Sequence, residues 1–169
     1  SDPLSDSTTP EPLRVPRVSR PVALAWCTLN WIVPGLGYLA AGDRFRAAVL
    51  FVVVNGVLLV GYALGGYFLS PVWTVGAPNF SIVACLTYIL QVFHGGAWAL
   101  SSFAMGLAER GSESAPVLFF AGRPGMPYAD LGAFHLLAAG AMNYLSTVRL
   151  YDEAAGDPSL VDDSSEAGA

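Results

Sequence analysis

The stretch Ala47–Leu69, AAVLFVVVNGVLLVGYALGGYFL, decides the fold because it is almost purely apolar. It belongs to a longer segment, Ala47–Ala108, that contains no charged residue. A second charge-free segment, Pro21–Gly42, precedes it, and only residues 43–46 separate the two. A transmembrane helix needs about 20 mostly apolar residues to cross about 30 Å of hydrocarbon. The sequence therefore predicts an integral membrane protein.

The composition excludes several other classes of protein. Of 169 residues, 54% are hydrophobic and 12% are charged, and the mean hydropathy is +0.52. An ordinary soluble domain carries about 25% charged residues. The net charge of −5 argues against a nucleic-acid partner, which would require a basic face. A disordered chain would be poor in apolar residues.

The charge-free segments and a later apolar stretch predict an all-α, polytopic membrane protein with four spans in two antiparallel hairpins. Turn signals at Ser70-Pro71 and at residues 76–79 divide the long segment. Three spans with one interfacial helix are the alternative. We expect Pro34 to kink the first helix, because proline lacks a backbone donor. The predicted helices are 22–41, 47–69, 80–107 and 129–150, and residues 108–128 are predicted to be a loop.

The predicted membrane domain, residues 21–151, lies between two polar tails. Residues 1–20 are rich in proline and predict an extended arm, whereas residues 152–169 form an acidic tail. Both tails are expected to drape over neighbouring subunits. The basic residues of the arm are expected to contact lipid headgroups or a partner, and they are Arg14, Arg17 and Arg20.

The arginines leave the orientation of four spans almost undetermined. One side would carry Arg14, Arg17, Arg20 and Arg149, and the other Arg44, Arg46, Arg110 and Arg123. This is a tie of four to four, so the usual excess of cytoplasmic Arg and Lys does not decide the orientation. The first helix often dominates, and its flanks weakly favour cytoplasmic termini. The predicted location is a bacterial inner membrane, cytoplasmic or photosynthetic.

Small residues in the predicted spans indicate where helices approach closely. The candidates are Gly35, Gly37, Gly61, Gly65, Gly95 and Gly96. For Gly61-x-x-x-Gly65, chance spacing in a glycine-rich chain is an equal alternative. Polar residues at depth are expected to hydrogen-bond between helices, and these are Asn30, Asn55, Gln91 and Asn143.

Two parts of the sequence resemble known families. The run PGLGYL at residues 34–39, followed by Gly42-Asp43-Arg44 and an apolar helix, resembles the bacterial two-transmembrane-hairpin domain. It departs from that domain's usual pattern at Arg46, where an aromatic residue is expected. Residues 127–152 resemble an uncharacterised family of small bacterial membrane proteins. Together the similar parts cover about half the chain, and the resemblance implies a helical hairpin but no activity.

The sequence offers no catalytic site and no metal site. The first three predicted helices contain no ionisable carboxylate or cation, which argues against a proton pump, an ion-coupled transporter or a voltage sensor. Serine-elbow, zinc-protease and phosphate-loop motifs are missing from the sequence. We therefore expect a protein that is not an enzyme.

His94 is the candidate cofactor ligand, in the middle of the third predicted helix. Neutral imidazole is a good ligand for haem iron or a chlorophyll-type pigment, and Gly95 and Gly96 would leave room for a flat macrocycle. The alternative is a structural histidine bonded to a neighbouring helix. His94 and His135 do not suit one haem, because their predicted depths differ by roughly 10 Å. Deep aromatic residues would allow contact with a carotenoid.

These observations favour a non-enzymatic accessory or scaffold subunit of a larger membrane complex, with other integral membrane subunits and lipids as partners. Energy-transducing complexes, photosynthetic or respiratory, are the expected hosts. A pigment- or cofactor-binding subunit using His94 is the first alternative. A carrier or channel for a small solute is the second.

Overall fold

The computed structural model describes residues 15–156 and shows seven helices, with no strand among these residues. The all-helical prediction is therefore confirmed. The helices are α1 (Arg20–Ile32), α2 (Leu36–Ala40), α3 (Arg44–Ala63), α4 (Ile82–Val92), α5 (Gly95–Glu109), α6 (Ala115–Ala121) and α7 (Ala129–Ala155).

The first predicted helix, 22–41, is wrong as a continuous element, because the chain reverses between α1 and α2. Pro34 lies at the break, and Gly35 has a φ of 92°, in the left-handed region that favours glycine. The short α2 then packs back along α1. Gly37 lies directly against the Trp26 carbonyl, where a Cβ atom would overlap it. The predicted kink is thus a full turn-back.

The long helix α3 is displaced from its predicted bounds of 47–69. It begins at Arg44 because the Asp43 side chain accepts a hydrogen bond from the Arg46 N–H at 3.0 Å. It ends at Ala63 because Gly65 adopts a φ of 81° and Gly66 donates back to the Gly61 carbonyl.

The third predicted helix, 80–107, is also wrong as a continuous element. Helices α4 and α5 are bent by 109° at Phe93 and His94. The end of α4 reaches the middle of α7, where Gly140 touches the Leu90 carbonyl. From there α5 returns, so that Ser101 meets Tyr62 near the end of α3.

The predicted loop 108–128 contains α6, whose Phe119 and Phe120 rings pack on Tyr62 at centroid distances of 5.6 and 5.2 Å. Helix α7 continues past its predicted end at residue 150. The reason is that Glu153 in the last turns pairs with both Arg46 and Arg149.

The two long helices, α3 and α7, run antiparallel. Arg46 at the start of α3 contacts Glu153 near the end of α7, at 2.7 Å. Gly61 near the end of α3 packs on Gly132 near the start of α7. The Val18 N–H also donates to the Ala154 carbonyl at 2.9 Å, which brings the start of the described chain to the end of α7.

Each half of the molecule is therefore a helical hairpin followed by a long helix. The α1–α2 hairpin starts from the end of the molecule where α7 finishes, and the α4–α5 hairpin starts from the opposite end. The first hairpin tip is the break at residues 33–35 with the adjoining helix ends, and the second is the break at residues 93–94 with its adjoining helix ends. The two tips meet in the middle of the molecule, beside Asn143 of α7.

Within residues 15–156, one helix, Arg44–Ala63, is long and apolar enough to cross a membrane, and there are up to two such spans if the bent α4–α5 pair counts as one. Four spans are thus not confirmed. Of the apolar stretch in α3, 28% is buried, so most of it faces outward, unlike the core helix of a soluble protein. This is weak support for a membrane location.

Candidate functional site

The two hairpin tips touch through small residues and one indole. The Trp31 Nε1–H donates to the Val92 carbonyl at 3.0 Å. The Trp31 ring packs directly against Gly95, where a Cβ atom would overlap it. Gly96 lies against the Ile32 carbonyl, and a Cβ atom there would overlap that oxygen. Glycine is needed at the second tip because a backbone carbonyl of the first tip occupies the space of a side chain.

Asn30 hydrogen-bonds both to the backbone at the first break and to α7. Its Oδ1 accepts from the Gly35 N–H at 2.9 Å, directly after the break. Its Nδ2 donates to Ser146 Oγ at 3.0 Å and to Thr147 Oγ1 at 2.9 Å, both on α7. The side-chain oxygen thus bonds a backbone N–H at the break, and the side-chain nitrogen joins the tip to α7.

Asn143 of α7 joins the two tips to each other. Its Nδ2 donates to the Phe93 carbonyl at 2.8 Å and to the Asn30 carbonyl at 3.1 Å. Its Oδ1 lies 3.3 Å from the Asn30 amide nitrogen. Asn30 and Asn143 are both fully buried. Because buried carbonyls are costly without donors, this one side chain stabilises both breaks.

Gln91 anchors the segment that follows α3. Its Oε1 accepts from the Leu69 N–H at 3.0 Å, and its Nε2 lies 3.3 Å from the Ala133 carbonyl. The fully buried amide therefore holds α4, α7 and the segment after α3 together.

His94 differs from these amides because neither of its ring nitrogens has a hydrogen-bond partner among the described residues. The residue is 3% exposed and occupies the position before the first turn of α5. A buried polar group without a partner costs on the order of 1–3 kcal/mol. Such a group requires an explanation other than packing.

His94 lines a cavity of about 490 Å³ between the two breaks. The other polar side chains in its wall are engaged: the Tyr62 hydroxyl lies 2.5 Å from Ser101 Oγ, and the Asn55 Nδ2 donates to the Phe51 carbonyl. The wall is otherwise apolar and is formed by α1, α3, α5 and α6. Its remaining members are Ile32, Val33, Pro34, Phe51, Leu58, Leu59, Gly96, Ala97, Leu100 and Phe120.

A sequence profile of a family of unknown function, DUF6677, matches residues 25–162 and therefore most of the chain. The chain belongs to the DUF6677 family. No curated protein and no solved structure matches it. The hairpin tips, the Asn143 bonds and the His94 cavity all lie within the matched residues of this DUF6677 protein.

The structure separates the glycines that the sequence singled out. Gly35, Gly37, Gly95 and Gly96 lie at the hairpin tips or within the hairpins, whereas Gly61 packs on α7. Gly65 lies after α3 and contacts Met126, so Gly61 and Gly65 do not form one helix face. Two further close-packed glycines of α7 were not predicted, although their spacing of eight residues on one helix face is a usable signal. They are Gly132 and Gly140.

The remaining predicted residues lie apart from the cavity, except for Asn55 in its wall. Arg17 and Arg20 are exposed at the end where α7 finishes, and Arg14 lies outside the described residues. His135 contacts the Leu131 carbonyl of its own helix at 2.7 Å. Asn55 also bonds within its own helix, contrary to the expected bond between helices. Within residues 15–156, no group of three or more His, Cys, Asp or Glu could hold a metal ion.

Proposed function

We propose that the chain is an integral membrane protein in which α3 and α7 cross the bilayer and the two hairpins re-enter it from opposite sides. The outward face of α3 supports this, because Val52 and Leu59 are 67% and 53% exposed. Helix α7 has the same property at Leu145, while its polar Asn143 faces the interior. Its hydropathy is therefore lowered by residues that would not meet lipid.

The helix lengths suit this arrangement. At 1.5 Å per residue, the 20 residues of α3 extend about 30 Å, which matches the hydrocarbon core. The 13 residues of α1 and the 11 residues of α4 extend about 20 and 16 Å, or roughly half of it. Irregular backbone is tolerated at such depth only where protein buries it and satisfies its polar groups. Asn30 and Asn143 supply those bonds.

The hairpin arrangement distributes the arginines between the two sides of the membrane differently from four continuous spans. The turn between α2 and α3 lies at the same end as the start of α1 and the end of α7. Among the described residues, that end carries five arginines and the opposite end carries two, Arg110 and Arg123. The five are Arg17, Arg20, Arg44, Arg46 and Arg149. This asymmetry favours cytoplasmic termini in a bacterial inner membrane.

Within that membrane the protein acts as a non-enzymatic accessory or scaffold subunit, packed against a larger complex such as a photosynthetic or respiratory one. The observation that carries this proposal is the contrast between buried amides that bond to protein groups and an exposed apolar exterior. Asn30, Gln91 and Asn143 are fully buried and bond to protein groups, which favours packing over solute passage. The exposed faces of α3 and α4 are available for partner helices or lipid.

Purification of the full chain in mild detergent, followed by mass spectrometry, tests the proposal. We expect integral membrane subunits to co-purify in fixed ratio. Val52→Trp and Val83→Trp, on the exposed faces of α3 and α4, form a matched pair. The variant on the helix that contacts the partner should lose the co-purifying subunit. The variant on the other helix should retain it. A stable isolated monomer with no associated subunit would contradict the scaffold role.

Pigment ligation by His94 is a second candidate, supported by the imidazole that lacks a partner among the described residues. An absorption spectrum of the purified protein tests it. A visible chromophore that disappears in His94→Leu would support this role, and a colourless wild-type protein would refute it.

A further inference from the structure

We propose that a groove between α3 and α7 binds one anionic phospholipid, with its phosphate on Arg149 and Arg46 and an acyl chain along the apolar wall. The inference rests on the membrane insertion of the proposed function, but not on the presence of partner subunits.

The groove has a volume of about 490 Å³ and lies at the end of the molecule where α7 finishes. We call it the arginine groove, and its main members are Arg46, Val49, Leu50, Met142, Leu145 and Arg149. Its two sides are open to the surroundings, because Val49 on α3 and Leu145 on α7 are 44% and 65% exposed. A lipid can therefore reach it from the hydrocarbon phase.

Helical spacing places the charges at one end of the groove and the apolar residues along its length. On α7, Met142, Leu145 and Arg149 follow each other at intervals of three and four residues and share one face. On α3, Arg46 lies in the first turn and Val49 follows one turn later. Since α3 matches the hydrocarbon core in length, its first turn lies at the level of the headgroups. The two arginines thus lie where a lipid phosphate is expected.

Glu153 positions both guanidinium groups and leaves donors available. It accepts from Arg149 Nε at 2.9 Å and from Arg46 Nη1 at 2.7 Å. Asp43 also lies 3.2 Å from Arg46 Nε. A guanidinium carries five N–H donors, and among the described residues only the Nε of Arg149 is bonded. The Arg149 side chain is 71% exposed, so its two terminal amino groups can donate to a phosphate.

The charge balance of this end favours an anionic lipid. Among the described residues, five arginines face three carboxylates here, whereas two arginines face three carboxylates at the opposite end. The carboxylates of this end are Asp43, Asp152 and Glu153, and those of the other are Glu109, Glu113 and Asp130. Each arginine near a membrane surface attracts anionic lipid. The excess of positive charge therefore complements an anionic headgroup at this end.

The shape and chemistry of the groove favour an acyl chain over a partner helix. From Met142 to Arg149 the groove extends about 10 Å, and its volume then corresponds to a width of about 7–8 Å, whereas an α-helix is about 10–12 Å wide. The Tyr38 hydroxyl bonds to the Ser146 carbonyl, and Ser146 Oγ bonds to the Asn143 carbonyl. The polar groups in the wall are thus engaged, and the remaining surface suits a hydrocarbon chain.

The test compares two lipids with the same oleoyl chains, phosphatidylglycerol and phosphatidylcholine, which differ in net charge. Each is added to the full chain in a neutral detergent. Native mass spectrometry counts the bound lipid, and the shift in thermal unfolding gives the affinity. We expect one phosphatidylglycerol to bind about fivefold more tightly than phosphatidylcholine, the worth of one arginine beside an anionic headgroup. Equal affinity for both lipids would overturn the proposal.

Inorganic phosphate distinguishes a lipid from a free anion. We expect phosphate at the same concentration to leave thermal unfolding unchanged, because it makes no apolar contact with the wall of the groove. Stabilisation by phosphate as large as that by phosphatidylglycerol would overturn the assignment to a lipid.

Two arginine variants locate the headgroup. Arg149→Gln should reduce the preference for phosphatidylglycerol from about fivefold to nearly none. Arg20→Gln, at an exposed arginine of the same end outside the groove, should retain the preference. An equal loss in both variants would indicate diffuse attraction to the surface and would overturn the site.

Two tryptophan variants locate the acyl chain. Leu145→Trp fills the groove and should block binding of both lipids. Leu131→Trp, at an exposed position of the same helix outside the groove, should bind as the wild type does. Suppose that Leu145→Trp instead removes a co-purifying subunit and leaves lipid binding unchanged. A protein partner would then occupy the groove, and the proposal would be overturned.

The test also separates this inference from the proposed function. Extraction of cell membranes with alkaline carbonate shows whether the chain is inserted, independently of added lipid. Loss of insertion would refute the proposed function together with the site. Insertion without a preference for phosphatidylglycerol would refute the site alone.

Discussion

The two hairpin tips differ in how they satisfy the buried polar groups at a helix break. At the first tip, the buried amide side chains are bonded: Asn30 accepts from Gly35 and donates to α7, and Asn143 donates to the Asn30 carbonyl. At the second tip, Asn143 and Trp31 cover the backbone carbonyls, but His94 has no partner among the described residues. The polar side chains of the first tip are thus bonded, whereas the second tip contains one buried imidazole without a partner among the described residues.

The largest effect is expected from Asn143→Leu, which removes the joint between the tips. The Phe93 and Asn30 carbonyls and the Asn30 amide would lose a partner while remaining buried. We expect the free energy of unfolding to fall by about 3 kcal/mol, since each buried group without a partner costs on the order of 1–3 kcal/mol. Unfolding in a detergent titration measures the loss.

Asn55→Leu is the control for this prediction. The Asn55 amide bonds to the Phe51 carbonyl one turn earlier in α3 and joins no second helix among the described residues. We expect a change within about 0.5 kcal/mol, as for substitutions away from a network. Equal losses in Asn143→Leu and Asn55→Leu would show that Asn143 is not a joint.

Gly96→Ala tests the contact between the tips. The new Cβ atom would overlap the Ile32 carbonyl, so one tip must move, at a cost of about 1–3 kcal/mol. Gly106→Ala in the same helix is the matched control, because open space surrounds that position. The control should stabilise by about 0.5–1 kcal/mol, the helix preference of alanine over glycine. Thermal unfolding of both variants decides whether the tips touch.

His94→Leu is expected to act in the opposite direction from Asn143→Leu. It replaces a buried imidazole without a partner among the described residues by an apolar side chain, so the ligand-free protein should gain about 1 kcal/mol of stability. His135→Leu, at a partly exposed histidine, should change stability by less than about 0.5 kcal/mol. A loss in His94→Leu as large as that in Asn143→Leu would mean that the two tips do not differ.

The sequence predicts part of this fold for clear physical reasons. Charge-free segments identify the apolar helices, and Pro34 marks the first break because proline cannot continue a helix. Asn30, Gln91 and Asn143 are recognisable as groups that must bond between helices, since an apolar surrounding offers no other partner.

The turn-backs are not predictable in the same way. Pro34 alone indicates a kink, and the reversal also needs the φ of Gly35 and the approach of Gly37 to Trp26. The second break contains no proline. It is held by Asn143, which lies 50 residues further along the chain, and by the Trp31 indole. Such tertiary bonds leave no local signal, and for this reason the sequence alone predicts a continuous helix around His94.

The most direct test of the opposed hairpins is the side of the membrane from which single cysteines are labelled. In a background of Cys27→Ala and Cys85→Ala, the positions are Phe45→Cys, Thr74→Cys and Ser114→Cys. The hairpin arrangement predicts that an impermeant thiol reagent outside the cell labels Thr74→Cys and Ser114→Cys but not Phe45→Cys. Four continuous spans would place Phe45 and Ser114 on one side of the membrane and Thr74 on the other side. Labelling in that pattern would contradict the account.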